Sequence, residues 1–195
     1  MINHNDTLGL SGFTAPGTPK AVTEAVAMRA VKEHEAGREF KINLFSGAST
    51  NRHVDTILSD NQALNFRAPY QNLPALRKHI NCHEVHYSDR HLSEMAQEVR
   101  YGFYGPVDYA IIEAADITPD GEILLGCGVG NVPTFAHLAK KIFIEINHKL
   151  PKSLYGMHDV VLLQDPPYRR EIPIFHANDR IGAPVLKVDP NKIVG

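Results

Sequence analysis

Residues 7–22, TLGLSGFTAPGTPKAV, decide how this chain is read, because they hold a strand, a glycine turn and a helix start in direct succession. Gly12 and Gly17 have the five-residue spacing of a phosphate-gripping P-loop, a pattern that next requires Lys and Ser/Thr. Here Thr18 and Pro19 intervene, and Lys20 arrives two places late. Nothing in that position reaches a β- or γ-phosphate, and no hydroxyl stands ready for magnesium. The turn is not a P-loop. The residues leave two readings open: a tight strand-to-helix turn, or a site for an anion or carbonyl oxygen at a helix N-terminus, where free N–H groups and the helix dipole converge.

Working outward, the strand TLGLSG feeds a helix over TPKAVTEAVAMRAVKEHEAG. Thr18 is expected as its N-cap, Pro19 as its first residue and Gly37 as its stop. Ala21, Val22, Ala25, Val26, Met28 and Val31 make up the expected apolar face. FKINLFSG (40–47) and VDYAIIEAAD (107–116) read as buried strands, with weaker strands in ALNFRAPY, EVHYSD and KIFIEIN. HVDTILSD, LPALRKHIN, HLSEMAQEVRYG and TFAHLAKK read as helices, and ITPDGEILLG as a hairpin turning on Asp120-Gly121. Strand–loop–helix repetition implies an open, mostly parallel α/β sheet with helices on both faces. In such sheets ligands sit at the carboxyl ends of the strands, where SGFTAPG, FSGAST and GCGVGN all fall. Beyond residue 150 the Pro-rich texture breaks the alternation, so residues 150–195 are read as an irregular arm of the same domain.

The 195 residues are 43% hydrophobic and 22% charged, ordinary for a soluble globular domain. A net charge of −2 with dispersed Lys and Arg argues against a nucleic-acid partner. No apolar run approaches the roughly 20 residues of a membrane span. The start, MINHNDTLGL, has no signal-peptide pattern. Two cysteines, Cys82 and Cys127, suit a reducing compartment, and the expected location is the cytoplasm. Both ends look cut: a strand begins almost at Met1, and KIVG stops as an apolar run starts.

HINCHEVHYSDRH gathers His79, Cys82, His83, His86, Asp89 and His91, all possible zinc ligands, but without the paired spacing of a zinc site, so no metal is expected. His91, at a strand-to-helix turn behind Asp89, is the member best placed for work, with a capping role as the plainer alternative. LLGCGVGN lacks the spacing of a dinucleotide loop. Cys127 lies between glycines without an identifiable base, so a buried thiol is expected. Glu113 and Glu145 fall inside buried-looking strands, where a carboxylate is paired or its pKa rises; structural pairing with a buried Arg or Lys is the expected reading, with an active-site carboxylate as the alternative. PPYRRE and DRIG read as solvated or interface-forming surface.

GLSGFTAPGTPKAV, SGAS, APYQNLPALRKHIN, the long run from Tyr87 to Ile123, VGN, GMHD and NDRIGAPVLKVDPNKIV together resemble the N-terminal half of the acetyl-CoA hydrolase/transferase family, in the family's order and across essentially the whole chain. The resemblance implies a class I CoA-transferase of two similar α/β halves. Such an enzyme moves CoA between an acyl-CoA and a carboxylate such as acetate, succinate, propionate or 4-hydroxybutyrate. It implies ping-pong chemistry through a glutamyl-CoA thioester, with the nucleophilic glutamate and most of the CoA site in a C-terminal half absent from these residues. No catalytic residue is therefore assigned here, CoA is a substrate and not a bound cofactor, and this chain alone is expected to be inactive. Residues 1–195 would be the N-terminal domain, partnered by the C-terminal half and forming a homo-oligomer at full length.

By the same resemblance Ser49 and a residue around Asn72 line the small-carboxylate pocket. Gly12, Phe13 and Thr14, with Gly128, Val129, Gly130 and Asn131, wall the thioester. The GCG before VGN replaces a stretch richer in Ser/Thr in the family, removing a hydroxyl donor there. Two alternatives stand beside transfer: an acyl-CoA hydrolase, and a non-catalytic subunit of a two-chain transferase.

Overall fold

The computed structural model describes residues 1–49 and 51–195. Its centre is β5, Tyr109–Ile117, whose run YAIIEAADI is buried along most of its length. A mainly apolar run of this kind, interrupted by Glu113 and Asp116, suits a strand covered on both faces, where alternation would be wasted. β1 (Thr7–Leu10) and β7 (Lys141–Ile146) pair parallel to β5 over the same residues and so lie on opposite edges. β6 (Glu122–Leu125) pairs antiparallel with Ala114–Ile117, past the point where β1 leaves, and takes over β1's edge. Outward from β1 follow β2 (Ile42–Phe45), β3 (Leu64–Ala68) and β4 (His86–Tyr87), all parallel. β8 (Leu186–Lys187) closes on β6.

Side chains alternate across the strands and split the core in two. Leu8, Leu10, Leu44, Tyr109 and Ile111 meet α1 (Ala21–Glu35), α2 (Ile57–Asp60) and α3 (Pro74–Asn81). Ala110, Ile112, Ala114 and Leu125 meet α4 (Leu92–Arg100) and α5 (Val132–Leu138). The α/β sheet with helices on both faces is the expected one. The β5–β6 hairpin also turns where expected, with Gly121 N donating to Thr118 O at 3.0 Å.

α1 departs from expectation at its start and on its face. It begins at Ala21, with Lys20 in the cap position, and Thr18 does not cap it. The Thr18 hydroxyl instead donates back to Ala15 O at 3.1 Å, inside the glycine turn. The cap comes from the far strand β7: Glu145 accepts from Lys20 N at 2.8 Å, Ala21 N at 3.1 Å and Val22 N at 2.6 Å. A carboxylate on the first N–H groups satisfies orphan donors and complements the helix dipole. The buried stripe is Thr23, Val26, Ala27 and Ala30, while Ala21, Ala25 and Met28 are exposed. The sequence pattern is wider than the surface that packs.

The arm from residue 150 is irregular, with one-turn 3₁₀ helices at Lys152–Leu154 and Pro190–Lys192. It is clasped at its base, where Val160 pairs with Ala183, and Arg180 donates to Asp159 Oδ1 at 3.0 Å and to the carbonyls of Gly156 and His158. DRIG lies at the surface, as expected, and also clasps GMHD. Arg100 holds Asp165 at 2.9 Å, tying the arm to the end of α4.

Candidate functional site

Three parallel strands end in loops that stay in register beyond the sheet. Thr14 N donates to Ala48 O at 2.7 Å and Ser49 N to Tyr70 O at 3.1 Å. Thr14, Ser49 and Gln71 thereby stand abreast, joined by parallel bridges. Thr14 is held at φ 56°, a left-handed conformation that a β-branched residue adopts at a cost of about 1–3 kcal/mol. The surrounding ladder overrides that preference.

The loop before α5 closes the group from the other side, backbone against backbone. A Cβ on Gly128 would fall 2.0 Å from Pro16 O, and one on Gly130 would fall 2.3 Å from Gly12 O. Only glycine permits that approach, and Gly130 also sits at φ 59°. The GFTAPG and GVGN segments are in this sense one structure, built around the turn that imitates a P-loop.

Beneath the loops lies Arg67, fully buried on β3. Its Nε donates to Asp55 Oδ1 at 2.8 Å and its Nη2 to Ser46 Oγ at 2.8 Å and Tyr70 O at 3.3 Å, while Nη1 reaches Ala68 O. One guanidinium therefore locks the loop after β2, the loop after β3 and the π-helical turn Arg52–Thr56 that carries Asp55. Nothing in the sequence singled Arg67 out. The only signal available was a strong base inside a strand pattern that ends at a proline.

Between these loops and the start of α4 opens a cavity of about 540 Å³. Phe13, Ala48 and Tyr70 line one side, and Asp89, Arg90, His91 and Glu94 the other. His91 occupies the cap position of α4 without a side-chain cap bond and faces this space. Arg90 is turned aside by Tyr104 Oη at 3.2 Å and Glu98 at 3.4 Å. Tyr87, bonded to Asp89 at 3.4 Å, has its phenol pushed above the ordinary range, first by burial and then by the Asp89 charge.

Three buried polar atoms of this region lack partners among the described residues: Asp55 Oδ2, Gln71 Oε1 and Asn131 Nδ2. An unpaired buried acceptor or donor costs about 1–3 kcal/mol and calls for a reason. Ser49 is buried in the row as well. Asn72 lies outside it: its side chain is exposed, and its carbonyl accepts from Arg77 at 3.1 Å. Gln71, one residue earlier, holds the place beside Ser49. A one-residue shift in an extended segment turns the side chain to the other face, and sequence spacing does not report it.

Both glutamates are paired, but neither with the buried cation expected. Glu113 takes Lys20 Nζ at 2.8 Å and Asn147 Nδ2 at 2.9 Å, so Lys20 serves a carboxylate. That lysine is half-exposed, not buried. Glu145 holds backbone amides, not a cation. Cys127, expected buried, is exposed, because Gly126 and Gly128 take the packed positions on either side. Of the histidine cluster, His79 bonds Glu84 at 2.5 Å, and no group of three or more His, Cys, Asp or Glu among the described residues is placed to hold a metal ion. No helix among them is long and apolar enough to cross a membrane.

The structure is an open α/β sheet with glycine-lined loops gathered at its strand ends. Residues 1–195 match the acetyl-CoA hydrolase/transferase N-terminal domain, and the chain belongs to that family. It is 46% identical to the propanoyl-CoA:succinate CoA transferase of Escherichia coli K12, over 100% of this chain and 39% of that protein. It is 39% identical to the succinyl-CoA:acetate CoA-transferase of Clostridium kluyveri, over 99% of this chain and 35% of that protein. It is also 39% identical to an acetyl-CoA hydrolase of Schizosaccharomyces pombe, over 100% of this chain and 38% of that protein. The chain thus spans well under half the length of these relatives. RipA from Yersinia pestis shares the fold, with a TM-score of 0.59, 17% identity and coverage of 77% of this chain and 35% of that one.

Proposed function

We propose that this chain is the N-terminal half of a CoA-transferase and supplies the acyl and carboxylate side of the cleft. The carrying observation is the row Thr14–Ser49–Gln71 at the strand ends, beside an open cavity. In this reading the nucleophile belongs to a second half. Its glutamate attacks the acyl-CoA carbonyl, giving an acyl-glutamyl anhydride and CoA thiolate. The thiolate then attacks the glutamyl carbonyl, releases the first carboxylate and leaves the glutamyl-CoA thioester for a second carboxylate to reverse the sequence. The Ser49 hydroxyl, Gln71 amide and loop N–H groups donate to the carboxylate and to charge developing on the acyl oxygen. Gly12, Phe13, Gly128 and Val129 shape the wall and exclude water.

The test is CoA transfer from acetyl-CoA to succinate by the full-length protein, with this chain assayed alongside. Transfer by the former and none by the latter is expected. Gln71→Ala should raise KM for the carboxylate by about tenfold, the scale of one lost hydrogen bond in a binding site. Turnover of acetyl-CoA by residues 1–195 alone would overturn the reading. Hydrolysis is the second reading, favoured by the identity to the S. pombe hydrolase. CoA released at equal rates with and without added carboxylate would select it.

A further inference from the structure

We propose that the apolar groove beside α1 is closed by the polypeptide that follows Gly195 in the longer protein, which continues along β7 and folds back over α1. The proposal rests on the reading of this chain as one half of such a protein. The groove measures about 380 Å³ and is walled by Ile2, Val22, Ala25, Phe40 and Phe143. Ala25 and Met28, which the sequence pattern assigns to the packed face of α1, are left exposed. Of the six apolar positions expected on that face, Ala21, Ala25 and Met28 are exposed.

The end of the chain indicates what covers it. Residues 193–195 run parallel to the outer edge of β7: Ile142 pairs with Ile193, Val194 N donates to Ile142 O at 2.9 Å, and Ile144 N donates to Gly195 O at 2.8 Å. Successive residues of a strand direct their N–H groups to opposite edges, so the N–H of Ile146 points the same way as that of Ile144, with no partner among the described residues. The register is set for the next residues to take it. Gly195 already lies against the Phe143 ring, 3.1 Å from the nearest ring carbon to a Cβ built on it, and Phe143 is a wall of the groove. The E. coli relative has 61% of its length outside the matched part, taking 39% from the whole, so its counterpart here is ample to reach α1. Chain leaving Gly195 therefore emerges at the mouth of an apolar surface that needs cover.

The experiment uses the full-length protein carrying Cys127→Ser and Ala25→Cys, with the exposed native Cys82 as internal reference. Thiol modification at position 25 should run at least about tenfold slower than at Cys82, because reaction then waits on opening of a packed face. Equal rates overturn the proposal. A second form, with p-benzoyl-phenylalanine in place of Ala21, an exposed residue of the groove wall, identifies the cover by photo-cross-linking. A cross-link to residues beyond 195 without doubling of mass on a denaturing gel is expected. A cross-link of doubled mass assigns the groove to a second copy and also overturns it. Neither readout needs CoA transfer: an inactive protein with a protected groove sinks only the functional reading, and an active one with an exposed groove sinks only this proposal.

Discussion

Replacing Arg67 by Met should be the most damaging single change in the loop layer. Arg67 and Asp55 are both fully buried, and their ion pair is 2.8 Å long. Removing one partner of a buried pair strands the other charge at a cost of about 3–5 kcal/mol. Ser46 Oγ and the carbonyls of Ala68 and Tyr70 lose their donor too, at roughly 0.5–1.5 kcal/mol each where water cannot substitute. These terms overlap, and a net loss of about 4 kcal/mol is expected, or roughly 8–16 °C in Tm for a chain of this size. Adding Asp55→Leu removes the stranded carboxylate and should return about 2 kcal/mol, leaving the unpaired carbonyls as the residual cost. Urea unfolding of wild type, both single variants and the double variant measures this coupling. A loss below about 1 kcal/mol for Arg67→Met, or strictly additive single effects in the double variant, would refute the keystone role.

Gly128→Ala should leave the far-ultraviolet circular dichroism intact yet lower the proposed CoA-transfer activity of the full-length protein by about 100-fold, because the new methyl displaces Pro16 and with it the GFTAPG wall. Activity within twofold of wild type would contradict the close-packed wall. Glu145→Ala removes the acceptor for three N–H groups of α1 and should cost about 1–2 kcal/mol in urea unfolding, while Glu145→Gln should lose less. Tyr87 has a raised pKa from burial and the Asp89 charge, so its neutral form is the one the fold favours. Its stabilising contribution is complete below a free phenol's pKa of about 10 and is lost as pH rises through the folded-state value. Absorbance titration at 295 nm of wild type against Tyr87→Phe should show this phenolate forming late, and a free-phenol titration curve would show the reasoning to be mistaken.

How much was legible in the sequence follows from the range of each interaction. The strand–turn–helix of residues 7–35, the buried β5 and the Asp120-Gly121 hairpin were readable because apolar spacing and turn chemistry act over a few residues. The placement of Gly12, Thr14, Ser49 and Gly128 at strand ends followed from the parallel topology alone. Legibility failed where a partner came from far along the chain. Thr18 has the chemistry of an N-cap, yet Glu145, 123 residues from Val22, takes the position because β7 delivers a full carboxylate to three amides at once. Asn72 and Gln71 are both amides, and only the bridge to Ser49 chose between them.

The amino-acid order by itself determined the alternation of strands and helices, the glycine turns and the family, since these rest on local propensity and on motifs contiguous in the chain. Tertiary structure alone decided which of those motifs meet: the backbone contacts of Gly128 and Gly130, the burial of Arg67 against Asp55, and the exposure of Ala21, Ala25 and Met28 on α1. Those outcomes depend on distances between segments that no spacing in the sequence encodes, and on the low dielectric and close packing that exist only once the segments have come together.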